Sequence, residues 1–207
     1  MFDNKINYFS AWEYLSGGIS SSLPFISYHT AQNVAKFEGC KRLDCRQWFD
    51  LNLNKRSEIE SFAAIDPDSG VIRVMAYNFK NDLDYTTDAD MTTNLRMPSG
   101  YGKHIKITKY YINDDCNWFD EWTKDRETYN ITDDCFTWSP DSPDVDSYTT
   151  LSDENARCVF YSMRDSYVQN AVLTPVTETL RVRNGMVRIN DVIKANSVVF
   201  YEISPID

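Results

Sequence analysis

The spacing of apolar positions changes along the chain, and the changes divide it. Ile6 to Trp12 is an apolar and aromatic run that leads into Ser16-Gly17-Gly18-Ile19-Ser20-Ser21-Ser22, which reads as a strand followed by a turn-rich loop. After Pro24, the residues Tyr28, Ala31, Val34, Ala35 and Phe37 recur at helical spacing. Ser27 is placed to cap that helix and Gly39 to stop it. Residues 1–42 therefore read as one strand-loop-helix unit.

From Leu43 the period falls to two. Ile59 to Ile65, Val71 to Tyr77, Met91 to Met97 and Lys103 to Ile112 alternate as strands do. Asp66-Pro67-Asp68-Ser69-Gly70 joins the first pair, because proline presets a negative φ and glycine accepts a positive one. Asn113 to Thr150 breaks the pattern. It is rich in aspartate, carries Pro140 and Pro143, and predicts a short helix over Asn117 to Glu127. Ser152 then caps a helix whose Ala156, Val159, Phe160, Met163 and Tyr167 share one stripe, the pattern of a helix packed on a sheet face.

Thr179 to Arg183, Met186 to Ile189 and Ser197 to Ile203 close the chain as strands. Asn184-Gly185 between the first two is a strong short-range hairpin signal. The sum is about eight short strands separated by turns, which predicts a mainly β fold, an antiparallel sandwich with one packing helix over residues 43–207.

Composition narrows what such a domain does. Thirty-one acidic against twenty-one basic side chains give a net charge of −10, which repels a phosphate backbone and excludes nucleic acid as an expected partner. No apolar run is long enough to span a bilayer, so no membrane partner is expected. The start, Met1-Phe2-Asp3-Asn4-Lys5, lacks the basic and apolar sequence of a secretory leader. The five cysteines, Cys40, Cys45, Cys116, Cys135 and Cys158, are odd in number and irregular in spacing. Together these features predict free thiols and a cytoplasmic location.

Catalytic signals are sparse. The two histidines, His29 and His104, stand far apart with no orienting group in view. Asp82, Asp84, Asp88 and Asp90, and again Asp141, Asp144 and Asp146, offer hard oxygen ligands, yet neither run has the central glycine and terminal glutamate of a calcium loop. The glycines lack a phosphate-binding fingerprint. No metal or cofactor is expected. Aromatic rings are the stronger signal: Trp118, Phe119, Trp122 and Trp138 crowd one irregular, polar segment. They read either as a surface that stacks on a sugar or as rings that pin the segment to its neighbours.

That segment carries a family resemblance. Lys109-Tyr110-Tyr111-Ile112-Asn113-Asp114-Asp115-Cys116-Asn117-Trp118-Phe119-Asp120-Glu121-Trp122 resembles the Tyr-Arg-Ile-Asp…His-Ser-Asn-x-Tyr-x-x-Trp stretch of family 39 glycoside hydrolases, the β-xylosidase and iduronidase relatives. Ile112, Asn117, Phe119 and Trp122 match the pattern. Asn113 replaces its aspartate, Cys116 replaces its His-Ser pair, and the spacing is one residue shorter. Ala76-Tyr77-Asn78 and Val198-Val199-Phe200-Tyr201-Glu202-Ile203 also resemble strands of that family's C-terminal β-sandwich.

The beginning is similar to the family's last barrel unit, with Tyr8 to Glu13 as the eighth strand and Leu23-Pro24 and Tyr28-His29-Thr30-Ala31 entering the closing helix. The resemblance implies a remnant βα unit of a (β/α)8 barrel followed by an accessory sandwich. Trp12 would then line a sugar subsite at a strand's C-terminal end if the rest of the barrel were present; Trp118, Trp122 and Trp138 are sugar contacts only on the stacking reading of the aromatic segment, and the pinning reading is the favoured one. The family's two catalytic glutamates have no matching segment, so no catalytic residue is carried over. The partners it implies are a catalytic barrel domain and an oligosaccharide, and a homo-oligomer is allowed. A free-standing carbohydrate-binding module and an oligomerisation or interaction module are the alternative readings.

Overall fold

A computed structural model describes residues 23–46, 59–80, 82, 84–131 and 154–206. Trp12, Trp138, the Ile6 to Trp12 strand, the Asp141 to Asp146 run and Ser152 lie outside the described residues. The chain divides into two compact units. One gathers the described residues up to Ala31 with Asp114–Val172; the other joins Gln32–Asn113 to Leu173–Asp207.

The second unit holds all the strands among the described residues: β1 Lys41–Arg42, β2 Ile59–Ile65, β3 Ile72–Asn78, β4 Ala89–Arg96, β5 His104–Ile112, β6 Val176–Arg181, β7 Met186–Ile193 and β8 Ser197–Pro205. Six form an antiparallel sheet in the order β1-β2-β3-β8-β5-β6, and β4 pairs with β7 in a second, two-stranded sheet. Alternation decides which side faces in. Ile72, Val74 and Ala76 of β3, Ile105 and Ile107 of β5, and Val199, Tyr201 and Ile203 of β8 form one core with Val187, Ile189 and Ile193 of β7. The fold is therefore mainly β, with two antiparallel sheets sharing an apolar interior. Each fully buried isoleucine there contributes about 1.5–3 kcal/mol relative to exposure.

Turn chemistry sets the β2 to β3 connection as the sequence predicts. Asp66 Oδ1 accepts the backbone N–H groups of Asp68 (2.9 Å) and Ser69 (3.2 Å), and Gly70 takes a φ of +72° that a side chain would resist. Arg73 Nη1 reaches Asp66 Oδ2 at 3.3 Å and fastens the turn to β3.

The Asn184-Gly185 turn departs from expectation. Both residues have positive φ, 51° and 71°, and Arg183 and Met186 exchange backbone hydrogen bonds of 2.9 Å. The pairing ends there. β6 continues along β5 while β7 continues along β4, so the turn passes the chain from one sheet to the other instead of closing a hairpin. β7 also runs on to Ile193, past the expected Ile189, because Asp191 at a core-facing position interrupts the apolar signal but not the strand.

Three helices are described: α1 Ile26–Ala35, α2 Trp118–Thr128 and α3 Glu154–Asn170. α1 begins one residue before Ser27, which therefore lies in its first turn and does not cap it. Gly39, at φ +73°, is the last residue of the turn that follows the helix. The apolar stripe of α3 is buried as expected, but its partner is α2. Trp118 and Trp122 of α2 form one cluster with Ala156, Val159, Phe160 and Tyr167 of α3, because aromatic rings on each helix fill the space between them.

Candidate functional site

Within the helical unit, α2 is set by its cap. Asn117 has an extended φ of −112°, and its side-chain oxygen accepts the N–H of Phe119 at 3.3 Å. That satisfies one of the free donors at the helix start. Trp118 and Trp122, one turn apart, then share a face. Both are fully buried. Phe25 stacks on Trp118 at 5.4 Å between centroids, and Phe160 presents its ring edge-on to Trp122 at 5.3 Å. Tyr167 lies 6.1 Å from each indole. Such offset and edge-to-face pairs add about 0.5–1.5 kcal/mol each beyond the area they bury.

The rim of this aromatic cluster is polar. Tyr167 donates its hydroxyl to Asp125 Oδ2 at 2.6 Å, and Ser166 donates to Glu121 Oε1 at 2.8 Å. Asn170 also donates to Glu121. Burial, reinforced by the neighbouring Asp125, raises the Tyr167 phenol far above its ordinary range. His29 is buried and donates Nε2–H to the carbonyl of Ala171 at 2.8 Å. These carboxylates and this imidazole are engaged in holding helices. Neither indole shows a face at the surface, and among the described residues of this unit the exposed large aromatics are Tyr129 and Tyr161.

The strand unit holds a group that the sequence reading passed over. Lys109 follows Ile105 and Ile107 on the inner face of β5 and is only 8% exposed. Its ammonium lies 3.2 Å from Asp191 Oδ2 on β7 and 2.7 Å from Glu178 Oε1 on β6. Asp191 Oδ2 also accepts the hydroxyls of Tyr111 (2.7 Å) and Tyr201 (3.1 Å). The Asp191 side chain is 11% exposed and the Glu178 side chain 41%. Removing one partner of a buried pair costs about 3–5 kcal/mol, whereas an exposed pair contributes about 0–1 kcal/mol. Lys109 and Asp191 are therefore the core of this group.

Burial alone would lower the Lys109 pKa, but the hydrogen bonds to Glu178 and Asp191 outweigh it and hold the ammonium above its ordinary value. Burial, then the Asp191 carboxylate, pushes the Tyr111 phenol up to about 12. The same two causes raise Tyr201 further. A charged lysine and two protonated phenols form a set of donors, with no free base among them. Period-two counting could have flagged each residue, though not their pairing. It places one basic and one acidic residue at apolar positions of strands that share a core.

The remaining candidates are placed apart. His104 is exposed on the outer face of β5 with Lys106. Among the described residues no group of histidine, cysteine, aspartate or glutamate is arranged to hold a metal ion. Cys40, Cys45, Cys116 and Cys158 carry free thiols. No helix among the described residues is long and apolar enough to cross a membrane.

No family profile matches the sequence, and no curated protein matches it. Solved structures do. A monomeric beta-xylosidase from Caulobacter crescentus is similar over 96% of this chain, with a TM-score of 0.59 at 14% identity. The likeness is one of fold. This chain spans 38% of that enzyme's length. A GH39 enzyme from Xanthomonas axonopodis pv. citri matches 70% of this chain and 26% of its own, at TM-score 0.44 and 13% identity. A bacterial orthologue of human α-L-iduronidase matches 72% and 22%, at 0.39 and 10%. Scores this low add nothing to the fold assignment.

Proposed function

We propose that this chain is a non-catalytic accessory region of a family 39-like glycoside hydrolase, one that supports a catalytic barrel and shapes a rim of its substrate cleft. The observation that carries the reading is the fold likeness to the β-xylosidase, which takes in 96% of this chain and 38% of the enzyme. It is joined by the Ile112, Asn117, Phe119 and Trp122 pattern, which the sequence shares with that family. The groups described above agree with a supporting role. The carboxylate of Asp191 accepts from four donors, Lys109, Tyr111, Tyr201 and the Val192 N–H, and Glu121 is held by Ser166 and Asn170, so neither is poised to protonate a leaving group.

The test mixes this chain with the barrel of a family 39 xylosidase cut before its own sandwich. The expected result is co-elution on size exclusion, a higher melting temperature for the barrel, and no turnover of aryl xyloside by this chain alone. Turnover that a glutamate-to-glutamine substitution in this chain abolishes would overturn the reading. Retention on immobilised xylan with no effect on the barrel would favour a carbohydrate-binding module instead.

A further inference from the structure

We propose that the six-stranded sheet carries a carboxylate-binding site on its inner face, formed by Lys109, Tyr111 and Tyr201, and that Asp191 of β7 is the chain's own occupant of it. Every donor comes from one sheet and the anion from the other. Lys109 and Tyr201 are directly opposite each other in the β5 to β8 register, and Tyr111 stands two residues along β5 on the same face. This register sets an ammonium and two phenols side by side before β7 is considered. All three converge on a single oxygen, Asp191 Oδ2, at 2.7–3.2 Å. Asp191 Oδ1 is taken by the N–H of Val192 at 3.0 Å, a contact within β7.

Glu178 on β6 completes the arrangement from the donor side, accepting from the same ammonium at 2.7 Å. Its side chain is 41% exposed against 11% for Asp191, so the ion pair it makes is the more screened of the two. Without Asp191, Lys109, 8% exposed on the inner face of β5, would keep only the half-exposed Glu178 of these two carboxylates. An ammonium so placed is costly, and a small planar anion that fills the gap recovers the loss. The ligand class is a monovalent carboxylate. A formate ion has the size of the group that truncation of Asp191 to alanine removes. The site is independent of the accessory-region reading, because it concerns how the two sheets of one unit are joined.

The experiment is urea unfolding of the full chain carrying Asp191→Ala, in sodium formate, in sodium chloride of equal ionic strength, and in formamide. The substitution should lower the folded-to-unfolded ratio by about a hundredfold or more. Formate at about ten times its dissociation constant should raise that ratio about elevenfold, while chloride and the neutral formamide should not. Adding Lys109→Met to Asp191→Ala should erase the formate effect. Formate acting no better than chloride, or equally on the unsubstituted protein, overturns the proposal. If Asp191→Ala does not fold, the milder Asp191→Asn is compared with and without Lys109→Met. A smaller cost of the asparagine in the Lys109→Met background supports the site, and simple additivity refutes it.

Discussion

The side-chain amide of Asn78, the last residue of β3, reaches the carbonyl of Ile193, the last residue of β7, at 3.1 Å, and so ties the end of one sheet to the end of the other. The same amide nitrogen lies 2.9 Å from the Thr87 carbonyl and 3.2 Å from that of Lys194. Its oxygen accepts the Tyr85 hydroxyl at 2.7 Å. Asn78 is fully buried, and its bond to the Ile193 carbonyl is a buried one that water does not supply. Asn78→Ala should lower unfolding free energy by about 2–3 kcal/mol. A loss below about 0.5 kcal/mol in urea titration would show that water takes over its role.

Trp122 is the second point of dependence. Replacing it by alanine empties a fully buried site between α2 and α3 and should lower stability by about 3–5 kcal/mol, with retention on immobilised xylan unchanged. An unaltered melting temperature together with lost retention would show the ring to be a sugar contact.

Acid should expose the β2 to β3 turn. The backbone N–H groups of Ser69 and Asp68, then the Ser69 hydroxyl and Arg73, hold the Asp66 pKa at about 2, below its ordinary 3.8. A depressed carboxyl pKa stabilises the folded state above the ordinary value, and that contribution disappears as pH falls through the folded one. Asp66→Asn should therefore flatten the stability profile between about pH 4 and pH 2 relative to the parent. Parallel profiles from chemical denaturation in that window would assign the acid sensitivity elsewhere.

Alkali should act through the inner face of β5. With its phenol pushed up to about 12 from an ordinary 10, Tyr111 favours the folded state below pH 10, and the benefit is lost as pH rises through the folded value. Ultraviolet titration should show one fewer tyrosine ionising near pH 12 in Tyr111→Phe, and that variant should lose less stability between pH 10 and pH 12. Ordinary ionisation of Tyr111 near pH 10 would mean that its hydroxyl is solvated and not bound to Asp191.

Elements whose signal is local were legible in the sequence. The strands over Ile59–Ile65 and Ile72–Asn78, the Asp66 to Gly70 turn and the helix from Trp118 are each fixed by period, cap and turn residues within a few positions. Pairing was not. Asn184-Gly185 dictates a reversal over four residues, but which strand each arm joins is decided by side chains far away, and β6 and β7 part company. The shared face of Trp118 and Trp122 could be read from their spacing, whereas Phe160 and Tyr167 as their cover could not. Lys109 and Asp191 escaped because a charged residue in a strand is taken as outward by default, and only the identity of the facing strand turns two such residues into a pair.

That parting of β6 and β7 governs how the protein emerges from the ribosome. β1, β2 and β3 pair among themselves and are available early. Among the described strands β4 pairs with β7 alone, and β5 is flanked by β8 and β6, all three encoded within residues 173–207. Until that last stretch is synthesised, β4 and β5 are unpaired strands with exposed amide edges, open to association with other nascent chains. Ala89 must then meet Ile193 and His104 must meet Arg181, contacts of long sequence separation that make folding slow. A nonsense codon after Val172 would thus undo the two-stranded sheet and half of the six-stranded one, although it removes only three strands.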